Sequence, residues 1–99
     1  MPGYIIAFID VSEPERYTAY VEVLPYILAQ YGGRFIVDSS TPETLEGPPE
    51  RRRVVVFEFP TVDEARACYH SERYRQARQM RLGSATAAFV LVDGAPPIR

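Results

Sequence analysis

Three segments of this 99-residue chain are apolar on both sides of a strand, and no other feature constrains the fold as much. In Tyr4–Ile9, the side chains of Tyr4, Ile6 and Phe8 alternate with those of Ile5, Ala7 and Ile9. In Arg53–Phe59, Val54 and Val56 alternate with Val55, Phe57 and Phe59, and in Thr86–Val92, Ala88, Val90 and Val92 alternate with Ala87, Phe89 and Leu91. An antiparallel sheet with one wet face alternates apolar with polar residues, so these strands need cover on two faces. Helices of the same chain can cover one. Leaving the other bare forfeits about 25 cal/mol for each Å² of apolar surface and invites aggregation. A second copy of the chain, sheet against sheet, is the simplest cover, and the sequence therefore predicts a symmetric homodimer.

The segments between the strands read as helices. Ser12–Glu15 combines a serine N-cap, a proline in the first turn and a glutamate three residues on, a capping box. Tyr17, Tyr20, Val21, Leu24, Leu28 and Tyr31 follow at steps of three and four, which builds one helical face. Pro25 removes one backbone hydrogen bond from this helix and predicts a kink over Val21–Pro25, and Gly32–Gly33 ends it. Arg34–Asp38 is a strand, and Ser39–Arg52 a proline-bearing connection in which Thr44–Glu46 offers a short extension. After Pro60, Thr61–Glu64 is a second capping box, opening a helix with Val62, Ala65, Cys68 and Tyr69 on one side. Ser71 interrupts that helix and caps a further stretch through Tyr74, Ala77 and Arg81, which Gly83 stops. The order is βαββαβ, an α+β, ferredoxin-like arrangement: a four-stranded antiparallel sheet with the helices on one face. The chain reads as one domain over residues 1–94 with a C-terminal tail at 95–99.

Composition excludes several function classes. A formal charge of −2 gives no electrostatic footprint for nucleic acid, and no apolar run approaches the ~18 residues of a membrane span. A lone cysteine, Cys68, allows neither an internal disulfide nor a multi-cysteine metal site, so a reduced, cytoplasmic protein without a metal is expected. All eleven basic residues are arginine, which removes lysine Schiff-base chemistry. Arg51–Arg53 beside Glu46 and Glu50 reads as a solvated hairpin that protects a sheet edge.

Tyr31–Val37, Leu45–Gly47, Val54–Pro60, Ala67–Ser71 and Arg81–Gly83, in this order and spacing, resemble the bacterial proteins grouped as domain of unknown function 1330. The resemblance spans residues 2–94 and implies a dimeric α/β-barrel fold, with no established activity. The chain departs from the usual pattern at Asp38–Ser40, where a basic residue and glycines are frequent, and at Glu72–Arg73, where Pro-Glu is common. Related α/β-barrel families include cofactor-independent oxygenases, small isomerases and haem-handling proteins, an analogy at the level of fold.

Two residues are candidates for catalysis. Glu58 is a carboxylate within a run of valine and phenylalanine, where desolvation raises a pKa toward the range of a general base. Its structural alternative is an ion pair with Arg34 or Arg81. His70 is the only histidine, placed at a helix break where it can line a pocket mouth or simply sit at a helix end favoured by the dipole. Tyr17, Tyr20, Tyr69 and Tyr74 supply an aromatic, hydroxyl-bearing surface, with Asp10 at its edge and Arg34 or Arg81 to hold an anion. The expectation is a homodimer that binds a small organic metabolite between helices and sheet, as a cofactor-independent isomerase or oxygenase-like enzyme. A non-catalytic binding or assembly module is the alternative.

Overall fold

The computed structural model describes residues 1–96. Its elements are β1 (Gly3–Val11), α1 (Pro14–Ala29), β2 (Arg34–Ser39), β3 (Arg53–Phe59), α2 (Val62–Tyr69), α3 (Glu72–Arg81) and β4 (Ala85–Asp93). The strands form one sheet in the order β2-β3-β1-β4, each antiparallel to its neighbours. This is the four-stranded α+β, ferredoxin-like arrangement expected from the sequence, with three helical segments because the second helix divides at Ser71. Residues 40–52 form no helix or strand, so the extension expected at Thr44–Glu46 is absent. β4 ends at Asp93, and the Gly94 N–H is tied back to the Pro2 carbonyl at 2.8 Å. Of the tail expected at 95–99, Ala95 and Pro96 are in neither helix nor strand, and 97–99 lie outside the described residues.

One face of the sheet carries the core. Ile5, Ala7 and Ile9 of β1 and Val55, Phe57 and Phe59 of β3 are buried against Tyr17, Tyr20, Leu24, Ile27 and Leu28 of α1, Ala65 and Cys68 of α2, and Tyr74 and Ala77 of α3. Ile27 joins the expected α1 stripe, while Val21 is only half-buried and Tyr31 lies beyond the helix. α1 runs unbroken through Pro25. It stops where Gly32 takes φ +72°, a conformation glycine adopts without a Cβ clash.

Two of the three expected caps are formed. Thr61 Oγ1 accepts from the Glu64 N–H at 3.0 Å, and Ser71 Oγ accepts from the Tyr74 N–H at 3.1 Å. Ser12 does not cap α1, however. Its hydroxyl donates to the Ser84 carbonyl at 3.0 Å, an oxygen that also accepts from the N–H groups of Ser12 and Glu13. The turn before β4 claims this serine, the N-cap passes to Glu13, and Pro14 takes the first helical position.

The helix-free face is apolar across its centre. Ile6 of β1 lies opposite Val56 of β3 on one side and Val90 of β4 on the other. Phe8 lies between Val54 and Ala88, and Tyr4 between Glu58 and Val92. Val90 and Val92 are 47% and 37% exposed. Charge enters this face at both ends: Arg34 of β2 lies opposite Glu58 of β3 beside Tyr4, and the Arg52 guanidinium lies 5.1 Å from the ring centre of Phe8. Among the described residues no helix is long and apolar enough to cross a membrane.

Candidate functional site

A cleft of about 210 Å³ opens where α2 passes over the β4 edge of the sheet. Its lining comes from Ile5 of β1, Arg66 and Tyr69 of α2, His70, and Phe89, Val90 and Leu91 of β4. The Ser71 cap sets this corner. Ser71 Oγ also donates to the Cys68 carbonyl at 2.7 Å, so the chain turns at His70 and presents Tyr69 and His70 together. The Tyr69 ring stands at 89° to the His70 ring with centroids 5.3 Å apart, and lies 5.8 Å from Phe89. Edge-to-face and tilted aromatic contacts of this kind fix ring orientation.

Behind these walls lies a polar aromatic layer. Tyr69 stacks at 5.1 Å on Tyr74, whose hydroxyl is 2.6 Å from the hydroxyl of Tyr20, and Tyr20 packs at 5.6 Å against Tyr17. Burial pushes the Tyr20 hydroxyl pKa well up and that of Tyr74 up, so both stay protonated. α3 sends two guanidinium groups into this layer. Arg78 Cζ lies 4.6 Å from the Tyr69 ring centre and 5.4 Å from that of Tyr74, and its terminal nitrogen donates to the Tyr69 carbonyl at 3.1 Å. Arg81 Cζ lies 4.9 Å from the Phe89 ring centre and 5.5 Å from that of Tyr20. Arg81 is 6% exposed, it pairs with no carboxylate among the described residues, and the Nε atoms of both arginines are buried without a hydrogen-bond partner.

Six of the nine candidate residues thus gather around one layer: Tyr69 and His70 on the cleft, and Tyr74, Tyr20, Arg81 and then Tyr17 behind it. The other three lie elsewhere. Asp10 lines a separate recess with Tyr17, Arg51 and Arg53 at the C-terminal end of β1. Glu58 and Arg34 are on the helix-free face, paired at 2.9 and 3.2 Å, and Glu58 also accepts from the Tyr4 hydroxyl at 3.0 Å. The Arg34 hydrogen bonds, then that of Tyr4, hold the Glu58 carboxyl below its usual pKa, the reverse of the rise expected for a desolvated base. Of the two alternatives for Glu58, the arginine pair is the one formed, and the partner is Arg34.

Arg66, Arg78 and Phe89 belong to the cleft and its walls but were not among the candidates. Arg78 stands four residues after Tyr74 and three before Arg81, and that spacing puts all three on one helical face. Phe89 alternates with Val90 toward the helix side. Among the described residues no group of three or more His, Cys, Asp or Glu side chains is placed to hold a metal ion.

A family model described as a domain of unknown function (DUF1330) matches residues 2–95. Among solved structures the fold is similar to that of a protein of unknown function from Rhodopseudomonas palustris. That pair has a TM-score of 0.78 and 18% identity, covering 97% of this chain and 84% of the other. SnoaB, a cofactor-independent oxygenase from Streptomyces nogalater, has TM-score 0.69 and 11% identity over 98% of this chain and 96% of its own. A candidate antibiotic biosynthesis monooxygenase from Nitrosomonas europaea has TM-score 0.57 and 15% identity over 96% and 92%. A comparison with curated proteins gives no match.

Proposed function

The chain belongs to the family of domain of unknown function DUF1330, and from that premise we propose that it is a cytoplasmic homodimer whose subunits each bind a small organic metabolite in the α2–β4 cleft. The observation that carries this reading is the convergence of Tyr69 and His70 on a cleft backed by Tyr74, Tyr20 and an unpaired, buried Arg81. An apolar recess with a few convergent polar groups is what small-molecule sites have in common. The homodimer is supported by the helix-free face, where Ile6, Phe8, Val54, Val56, Val90 and Val92 present an apolar surface of the kind a second subunit covers. One domain over residues 1–94 suffices for both.

In its enzymatic form the reading is a cofactor-independent oxygenase or isomerase, supported by the likeness of fold to the Streptomyces nogalater oxygenase. His70 is then the acid–base side chain at the cleft, and Arg66 beside it stabilises negative charge on the substrate, with Arg81 and the Tyr20–Tyr74 pair behind the wall. The Glu58–Arg34 pair favours a second reading, a non-catalytic binding module, because it removes the other candidate base. A metabolite-library thermal-shift screen tests the binding proposal, since a ligand at a hundred times its Kd stabilises by about 2.7 kcal/mol. The expected outcome is at least one stabilising class whose effect disappears in Phe89→Ala. A flat screen on a monomeric protein would sink the proposal. Turnover lost in His70→Gln with binding retained supports the enzyme, and binding without turnover supports the module.

A further inference from the structure

We infer that the ligand of the α2–β4 cleft is a small planar organic anion, an aromatic or conjugated carboxylate of about the size of benzoate. The inference rests on the cleft reading above and adds the ligand's charge and shape. Four cationic or protonatable groups surround the cleft: Arg66 and His70 line it, while Arg81 and Arg78 pack on the Phe89 and Tyr69 rings that wall it. Among the described residues no carboxylate lines it. The acid bound to this set is Asp63, paired with Arg66 at 2.9 Å, and its side chain is 93% exposed. An exposed helix pair of this kind is weak and readily exchanged for another anion.

The buried cation behind the Phe89 ring adds to the positive charge that Arg66 and His70 place on the cleft. Arg81 is 6% exposed, its Nε is buried without a hydrogen-bond partner, and among the described residues no carboxylate pairs with it, so part of its solvation is lost without a counter-charge. The neighbouring tyrosines do not supply the missing charge, because burial keeps Tyr20 and Tyr74 protonated. An anion in the cleft meets Arg66 and His70 directly and feels Arg81 only across the Phe89 ring, through a medium less polar than water. The shape follows from the walls. Tyr69 and Phe89 offer rings, and Ile5, Val90 and Leu91 offer an apolar bed. At about 210 Å³ the space is below the roughly 300–1,000 Å³ of sites for drug-sized ligands, so the occupant is smaller than those. Its ring rests on Phe89 and Tyr69, and its carboxylate faces Arg66 and His70 at the lip.

Fluorine NMR of 4-fluorobenzoate, 4-fluorobenzamide and 4-fluorobenzylamine, each titrated with the full chain, tests this directly. The carboxylate is expected to bind about tenfold or more tighter than the amide and the amine more weakly than either, with the preference shrinking as salt is added. Arg66→Gln with His70→Gln alters two exposed positions, and should cut the carboxylate preference several-fold while leaving amide binding in place. Phe89→Ala should weaken all the probes that bind. Equal binding of amide and carboxylate, or strongest binding by the amine, overturns the anion inference and leaves the cleft reading standing. Carboxylate binding unchanged in Phe89→Ala places the anion elsewhere and also overturns it. No binding by any of the three overturns the anion inference and leaves the cleft reading to the thermal-shift screen.

Discussion

Val90→Asp separates a subunit that is finished on its own from one that needs a second copy. In the single subunit Val90 is 47% exposed on the helix-free face of the edge strand β4, where a surface substitution changes stability by only about 0.5 kcal/mol. In a dimer joined through that face the same aspartate is buried, and two-fold symmetry buries it twice. A buried carboxylate without a partner costs several kcal/mol even after relaxation. Protonation sets the ceiling, since neutralising an aspartate of ordinary pKa ~3.9 at pH 7 takes about 4 kcal/mol. Taking about 3 kcal/mol per copy, and about 1 kcal/mol for the lost burial of each half-exposed valine, the dimer loses about 8 kcal/mol. With 1.4 kcal/mol per tenfold, the dimer dissociation constant should rise by about 10⁵- to 10⁶-fold. Sedimentation velocity or light scattering at micromolar concentration reads this as a dimeric parent and a monomeric variant, with far-UV circular dichroism unchanged. A monomeric parent would refute the reasoning, as would a variant that stays dimeric. A variant that unfolds refutes it too, because Val90 would then belong to the core of one subunit.

Three further outcomes follow from the packing and titration of other groups. Tyr20→Phe leaves the buried Tyr74 hydroxyl without its partner at 2.6 Å, and should cost about 1–3 kcal/mol, seen as a fall in Tm of several degrees. Adding Tyr74→Phe should recover part of that loss, and full additivity in the double-mutant cycle would deny the hydrogen bond. Glu58 has its pKa lowered by folding, so its contribution is complete above the ordinary carboxylate pKa and disappears as pH falls through the depressed folded value. Glu58→Gln should therefore flatten the acid limb of stability measured by urea unfolding, and an unchanged limb would show that the Arg34 pair has no such effect. Burial pushes the Cys68 thiol to about 11, so labelling by a thiol reagent at neutral pH should be slow in the native protein and fast in urea. Rapid native labelling would contradict the packing of α2.

The strands, their order and two of the three helix starts were legible because they depend on local pattern. β3 begins at Arg53 and ends at Phe59, bounded by the charged Arg52 before it and Pro60 after it. The caps at Thr61 and Ser71 are formed by backbone groups three residues away, a distance the sequence itself displays. Ser12 carries the same local signature and fails, because its competitor, the Ser84 carbonyl, is 72 residues off. Glu58 shows the same limit from the other side. Its fate turns on the β2–β3 register, which sets Arg34 opposite it and shifts between Phe35 and Val37. That irregularity leaves no mark in the alternation of Phe35, Ile36 and Val37. At the cleft the structure brings together His70, Tyr69 and, behind them, Arg81, all named from residue type, whereas residue type does not separate Arg78 from Arg73 and Arg75 of the same helix. Its burial depends on α3 lying beside α1 and Tyr69, a contact that only assembly creates.

The two halves of the proposal, a covered sheet face and an occupied cleft, meet at β4. Phe89 and Leu91 turn toward the helices and Val90 toward the open face, yet all three line the cleft, because it opens around the sheet edge. A subunit alone therefore offers a cleft whose lip is half apolar strand and half water. A ligand bound there would leave part of its surface against solvent beside an uncovered valine. A second copy laid on the helix-free face covers that valine, lowers the local dielectric at the lip, and strengthens whatever charge interaction the cleft makes. The pairing proposed for the two-sided strands is thus also the step that would make this corner a good place to hold an anion. Folding energetics and recognition act through the same strand, and for that reason both should change together in Val90→Asp.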